Sequence, residues 1–170
     1  MTARIALAAL ACAAACGDNA GSIDLTPDAP AEPACAAVFR DNFAETWTGP
    51  PNCAGVDTSD GHATLRLAIP SQTIAANLAI AIDLGVAPAP GTYTSQTLAT
   101  PWSADALHEF EMTSCLYHAG AASVPPGTFR LELDAIDVRA HGSLELLLYV
   151  LGRPYTYCGE TNIERVTVTF

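Results

Sequence analysis

Lysine is absent from this 170-residue chain: all seven of its cations are arginines, set against eighteen aspartates and glutamates for a formal net charge of −11. Without an ammonium side chain there is no Walker phosphate loop, no Schiff-base chemistry and no lysine general base. The acidic balance repels nucleic acid phosphates and anionic lipid headgroups, so no nucleic acid partner is expected. No G-x-S-x-G is present, which removes the nucleophile elbow. "HEFEM" at 108 is not the H-E-x-x-H of zinc proteases. No internal repeat is visible. No apolar run reaches the roughly 17–25 residues that a membrane-spanning helix needs.

The first segment reads as an address. Residues 5–15 are uncharged and mostly Ala and Leu, preceded by Arg4 and closed by small residues, the order of a secretory signal. Ala13-Ala14-Ala15-Cys16-Gly17 resembles the lipobox of bacterial lipoproteins, although Ala13 stands where that motif prefers Leu. The resemblance implies export, cleavage before Cys16 and acylation of that cysteine, giving a membrane partner through a lipid anchor. Cys12, after Ala9-Leu10-Ala11, is the competing site. Cys16 is favoured because the polar "GDNAGS" begins directly after it. Residues 16–34 then form the lipidated cysteine and an acidic, proline-spaced tether, with Asp18, Asp24, Asp28, Glu32, Pro27, Pro30 and Pro33. Such a stretch buries too little apolar surface to offset its ordering entropy. At roughly 3 Å per residue in extended geometry it would hold a domain tens of ångströms off the membrane.

Residues 35–170 are of ordinary single-domain size and pattern with period two. "HATLRLAI" (62–69) places Ala63, Leu65, Leu67 and Ile69 on one face. "NLAIAIDL" (77–84) places Leu78, Ile80, Ile82 and Leu84 together, with small or charged residues opposite. "TFRLELDA" (128–135) alternates Phe129, Leu131, Leu133 and Ala135 against Arg130, Glu132 and Asp134. It leads through a turn at Gly142 into "LELLLYVL" (144–151), a hairpin signal. "ERVTVTF" sets Val166, Val168 and Phe170 on one face. Residues 103–112 fit a helix through Leu107 and Phe110, or a strand through Phe110, Met112 and Leu116; the strand is favoured. Pro and Gly at 88–91 and 125–127 punctuate the segments. Seven or eight short strands predict an all-β fold, an antiparallel β-sandwich or jelly-roll-like barrel. "VFRDNFAETW" followed by "DGHATLRL" resembles the opening of extracellular concanavalin-like jelly-roll domains, which implies a secreted carbohydrate-binding module or a degenerate glycoside hydrolase. "CLYHAG", "PPGTFRLELD", "HGSL" and "YCG", in that order, resemble small bacterial lipoproteins of uncharacterised function, which implies a compartment and a fold without an activity.

Catalytic candidates are few. On a strand, Glu109 and Glu111 would share a face about 7 Å apart, near glycosidase carboxylate spacings, but like charges on a solvated face explain them as well. Asp57, Ser59 and Asp60 offer calcium oxygens without the spacing of a calcium loop, and a turn entering the next strand accounts for them. His62, His108, His118 and His141 lie in separate segments. Cys115 and His118 have C-x-x-H spacing, which export would turn from zinc ligation toward disulfide formation. Neither a metal nor any cofactor is expected, and no catalytic residue is assigned. Trp47, Trp102, Tyr93, Tyr155 and Tyr157 at turns and strand ends are candidate ligand-binding rings, or else caps on the ends of the core. The four cysteines after the tether are expected to pair as Cys35–Cys53 and Cys115–Cys158. The sequence thus reads as a membrane-tethered component of the bacterial cell envelope, non-catalytic, with a glycan or an envelope protein as candidate ligand. The alternative is the secreted carbohydrate-binding module.

Overall fold

The period-two patterning resolves into eleven strands, all paired antiparallel, and no helix among the described residues. In chain order they are β1 (Ala36–Phe39), β2 (Thr46–Thr48), β3 (Ala54–Asp57), β4 (Thr64–Pro70), β5 (Asn77–Asp83), β6 (Gly91–Thr94), β7 (Trp102–Phe110), β8 (Thr113–Gly120), β9 (Thr128–Ile136), β10 (Ala140–Val150) and β11 (Ile163–Thr169). The computed structural model describes residues 34–58, 61–70, 77–110, 113–136, 139–151, 158 and 161–170, with the side chains of 109, 110 and 113 outside the description. The described residues belong to one compact unit, Glu32–Phe170. The apolar leader, Cys16 and the tether through residue 33 lie outside them.

Eleven strands replace the expected seven or eight. The additional ones include β1, β2, β3 and β6, each three or four residues long, too short to display a period. Residues 102–110, ambiguous in sequence, are strand; Trp102, Ala104, Ala106 and His108 face inward, and Leu107 faces outward. The turn expected at Gly142 is not there, because β10 has already begun at Ala140. Gly142 itself lies within β10, at the register shift beside His141. Its glycine identity serves a close approach, because a Cβ there would run into the carbonyl oxygen of Glu132.

The strands run β2-β1-β11-β10-β8-β7-β5-β4-β3, with β9 and then β6 branching from β10. β10 makes this branch because it is long. Residues 140–147 pair with β9, while Tyr149 and Val150 pair with His118 and Tyr117 of β8. The sheet therefore curls, and inner-face side chains from distant strands meet in one core. Trp102 of β7 meets Phe129 of β9 edge-on, with centroids 4.9 Å apart and planes at 70°. Phe39 and Trp47 lie 4.2 Å apart, and Phe43 bridges them to Tyr117 on β8.

Both expected disulfides are present. Cys35–Cys53 joins the start of β1 to the start of β3, and Cys115–Cys158 joins β8 to the segment ahead of β11. Closing loops of 18 and 43 residues restricts the unfolded chain by about 3 and about 4 kcal/mol on the chain-entropy model. The Tyr117 hydroxyl donates to the carbonyl of Cys158, so the second bridge and the β8 phenol fix the same segment. Two disulfides point to an oxidising compartment outside the cytosol.

Candidate functional site

Outward positions of a solvated sheet are ordinarily polar and long, yet on β3, β4, β5 and β7 they are mostly small. Pairing aligns Gly55, Arg66, Ala81 and Ser103 in one row across these strands, and Ala68, Ala79 and Asp105 in the next. They line a shallow depression of about 440 Å³, with Asn52 and Cys53 at its margin. The floor is alanine, glycine and serine; the charges stand at the sides. Arg66 Nε lies 3.5 Å from Asp57 Oδ2 with both side chains well exposed, an ion pair of small worth. Across β7, Asp105 Oδ1 lies 2.6 Å from Nδ1 of His118 on β8. A carboxylate only accepts, so Nδ1 carries a proton, and in the neutral form of the ring the lone pair is then on Nε2.

A second depression, of about 430 Å³, lies on the outer face of β9, β10 and β11, beside Arg40 just after β1. It gathers Arg40, Arg130 and Arg165, but these are engaged already. Arg130 bonds Glu132 at 2.7 Å, Arg165 holds Asp41 at 2.6 and 2.9 Å, and Arg40 Nε reaches Thr167 Oγ1 at 3.4 Å. The Arg165 guanidinium holds the Asp41 carboxyl below its ordinary pKa, against a smaller upward push from burial.

The aromatic candidates fall elsewhere. Trp47 and Trp102 are only 2% and 7% exposed, and their rings are committed to the core contacts described above, leaving no open stacking surface. Trp47 Nε1 donates to Glu45 Oε2 at 2.9 Å. Tyr93 is half-buried, and its hydroxyl donates to the Ala89 carbonyl at 2.6 Å while accepting from the Ala89 amide at 3.0 Å. Tyr155, Tyr157, Ser59, Asp60 and Glu111 lie outside the described residues, as does the side chain of Glu109. Asp57 ends β3. Of the histidines, His62 meets Asp83 at 3.1 Å, His118 meets Asp105, and His108 is buried against Phe43 with Nε2 3.6 Å from Glu45. Among the described residues no three or more His, Cys, Asp and Glu converge as metal ligands.

The "RDNFAETW" segment, which carried the jelly-roll resemblance, is a clasp. A carboxylate that is wholly buried, Glu164 of β11, accepts the backbone N–H groups of Arg40 and Asp41 on Oε1, both at 2.9 Å, and that of Asn42 on Oε2 at 2.7 Å. Asp41 grips Arg165, and the Asn42 amide spans Thr161 and Ile163. Phe43 is stacked on His108 at 4.4 Å. Ala44 takes a positive φ of 49°, a left-handed backbone that costs a non-glycine residue energy and turns Glu45 toward Trp47 and His108. Burial of Tyr117, with the Glu164 charge adding to it, pushes that phenol's pKa up to about 12.

No sequence motif marks the depression. Its signal was present in the alternation of 62–69 and 77–84, where the outward parity carries Ala68, Ala79 and Ala81 in place of long polar side chains. Cross-strand alignment with Ser103 and Asp105 required the register. No protein-family model, curated protein or solved structure matches this chain.

Proposed function

We propose that the chain is an exported, lipid-anchored β domain that binds an envelope glycan on the outer face of β3, β4, β5 and β7. The observation that carries the binding reading is the depression of about 440 Å³ floored by Gly55, Ala68, Ala79, Ala81 and Ser103 between Arg66 and Asp105. Its volume falls within the roughly 300–1,000 Å³ of small-ligand sites. A floor without long side chains lets the C–H face of a sugar ring come into van der Waals contact with the strands. The planar guanidinium and carboxylate at the sides suit paired hydroxyl groups. Export is supported by the signal-like leader and the two disulfides, and anchoring by Cys16 ahead of the acidic tether.

Glycan-array binding by the mature chain in detergent tests the ligand. Binding that falls at least about tenfold in Ala79→Tyr, which fills the floor, and also in Arg66→Ala is the expected result. Absence of any bound glycan, or binding indifferent to Ala79→Tyr, overturns it. Mass spectrometry of the mature amino terminus tests the anchor: acylated Cys16 is expected, and an unmodified terminus elsewhere refutes it.

A further inference from the structure

Beside the depression, in the turn that follows β8, lies an unspent hydroxyl. Ser103 and Asp105 of β7 are paired with Gly120 and His118 of β8, so the wall of the depression continues into these two residues. After Gly120 the chain turns back, the Ser123 amide donating to the Gly120 carbonyl at 3.2 Å. This turn returns Ser123 over Gly120. A Cβ built on Gly120 would lie 3.3 Å from Ser123 Oγ and 3.6 Å from His118 Nε2. The two atoms thus both lie close to one point beside Gly120, which the Trp102 carbonyl oxygen approaches to 3.0 Å. Ser123 Oγ is buried and has no hydrogen-bond partner among the described residues. A buried hydroxyl without a partner costs free energy that folding ordinarily avoids. On its other nitrogen the same imidazole is held by Asp105 at 2.6 Å, which fixes the tautomer with the lone pair on Nε2.

We infer that Ser123, His118 and Asp105 form an acyl-transfer site at the rim of the depression, with Ser123 as nucleophile, His118 as general base and Asp105 as the residue that positions the imidazole. The inference rests on the ligand reading above only for its substrate, an O-acyl ester on a sugar or other polyol lying in the depression. The Oγ–Nε2 hydrogen bond is not formed in the structure, and forming it requires Ser123 to rotate about χ1 between staggered wells. Catalytic hydrogen bonds commonly tighten only when substrate is bound. In the acylation step the Oγ–H proton passes to His118 Nε2 as Oγ bonds to the carbonyl carbon. The carbon–oxygen bond to the sugar then breaks, and the departing alkoxide takes the proton from Nε2. Water repeats the sequence against acyl-Ser123. The net change is ester plus water to carboxylic acid plus alcohol.

The constellation differs from a buried triad in that the Asp105 side chain is 45% exposed and that of His118 30%. Such exposure leaves the imidazole open to solvent, so the general-base contribution belongs at the low end of the range for such groups, about 100-fold.

A fluorophosphonate probe followed by intact-mass and peptide mapping tests the nucleophile without needing the glycan, and p-nitrophenyl acetate reports turnover. Wild type should form one adduct on Ser123. Ser123→Ala should abolish it while retaining any glycan binding. His118→Gln should slow labelling by about 100-fold with the near-ultraviolet circular dichroism unchanged. For the positioning residue, Asp105→Asn should lower kcat for the acetate ester with KM little changed, and Asp105→Glu should restore it in part. No adduct on wild type, an adduct on another residue, or a labelling rate that survives His118→Gln overturns the inference. Glycan binding that persists in each of those cases leaves the ligand reading standing, and a Ser123 adduct in a protein that binds no glycan overturns only the ligand.

Discussion

Replacing Glu164 should damage this fold more than any exposed ion pair would. Its carboxylate is 0% exposed and accepts three backbone N–H groups from consecutive residues, Arg40, Asp41 and Asn42. In Glu164→Ala the Asp41 and Asn42 amides lose their acceptor, while the Arg40 amide keeps the Arg165 carbonyl at 3.0 Å. Hydrogen bonds to charged groups contribute about 1.5–3 kcal/mol each, but the cost of burying the carboxylate offsets part of their sum. The expected loss for Glu164→Ala is therefore about 4 kcal/mol. Glu164→Gln keeps one good acceptor for Arg40 and Asp41 but turns an amide N–H₂ toward the Asn42 amide, and should cost about 2 kcal/mol. For a unit of this size the alanine variant should melt roughly 10–15 °C lower. Urea unfolding followed by the fluorescence of Trp47 and Trp102, with the disulfides intact, gives the free energies. Hydrogen exchange at Asp41 and Asn42, whose amides depend on Glu164 alone, localises the effect. A loss below about 1 kcal/mol for Glu164→Ala, or unchanged protection at those amides, would refute the clasp.

Further outcomes follow from the same geometry. Tyr117, with its pKa raised to about 12 by burial and by Glu164, favours folding only while neutral. That stability is complete below the phenol's ordinary value near 10 and drains away as pH rises toward 12, so alkaline unfolding monitored at 295 nm should show one late phenol, and Glu164→Gln should bring it earlier. Asp41, held low by Arg165, contributes above the ordinary carboxylate range and loses that contribution as pH falls through its depressed pKa; Arg165→Ala should remove this part of the acid transition. Trp47→Ala should cost about 3–5 kcal/mol in urea unfolding yet leave glycan affinity per folded molecule unchanged, and a selective loss of affinity would return that ring to the binding site. Gly142→Ala should destabilise by at least about 2 kcal/mol, since its Cβ meets the Glu132 backbone; a neutral effect in thermal melts would show that the approach is loose.

The core was legible where strands are long enough to alternate. Leu65, Leu67 and Ile69, then Leu78, Ile80 and Ile82, then Phe129, Leu131 and Leu133 are all buried as their parity implies. Cys35–Cys53 and Cys115–Cys158 also followed from segment order. What escaped depends on contacts between distant residues. Glu164 shares the inward parity of Val166 and Val168, and nothing local says that a carboxylate there will be met by amides more than a hundred positions earlier. Trp47 lies within a three-residue strand and Trp102 at the start of β7, where core caps and ligand platforms have the same sequence appearance. Gly142 resembled a turn because a glycine in a strand carries the same letter whether the chain bends or a neighbour crowds it. Asp105, His118 and Ser123 are brought together by the β7–β8 register and a tight turn, neither of which has a spacing motif.

The most direct test of the account is a map of backbone chemical-shift changes as an envelope-derived oligosaccharide is titrated into the isotopically labelled mature chain. The account predicts changes concentrated at Gly55, Arg66, Ala68, Ala79, Ala81 and Ser103, absent in Ala79→Tyr. Changes centred instead on Arg130 and Arg165 in the second depression, or none at saturating sugar, would contradict it.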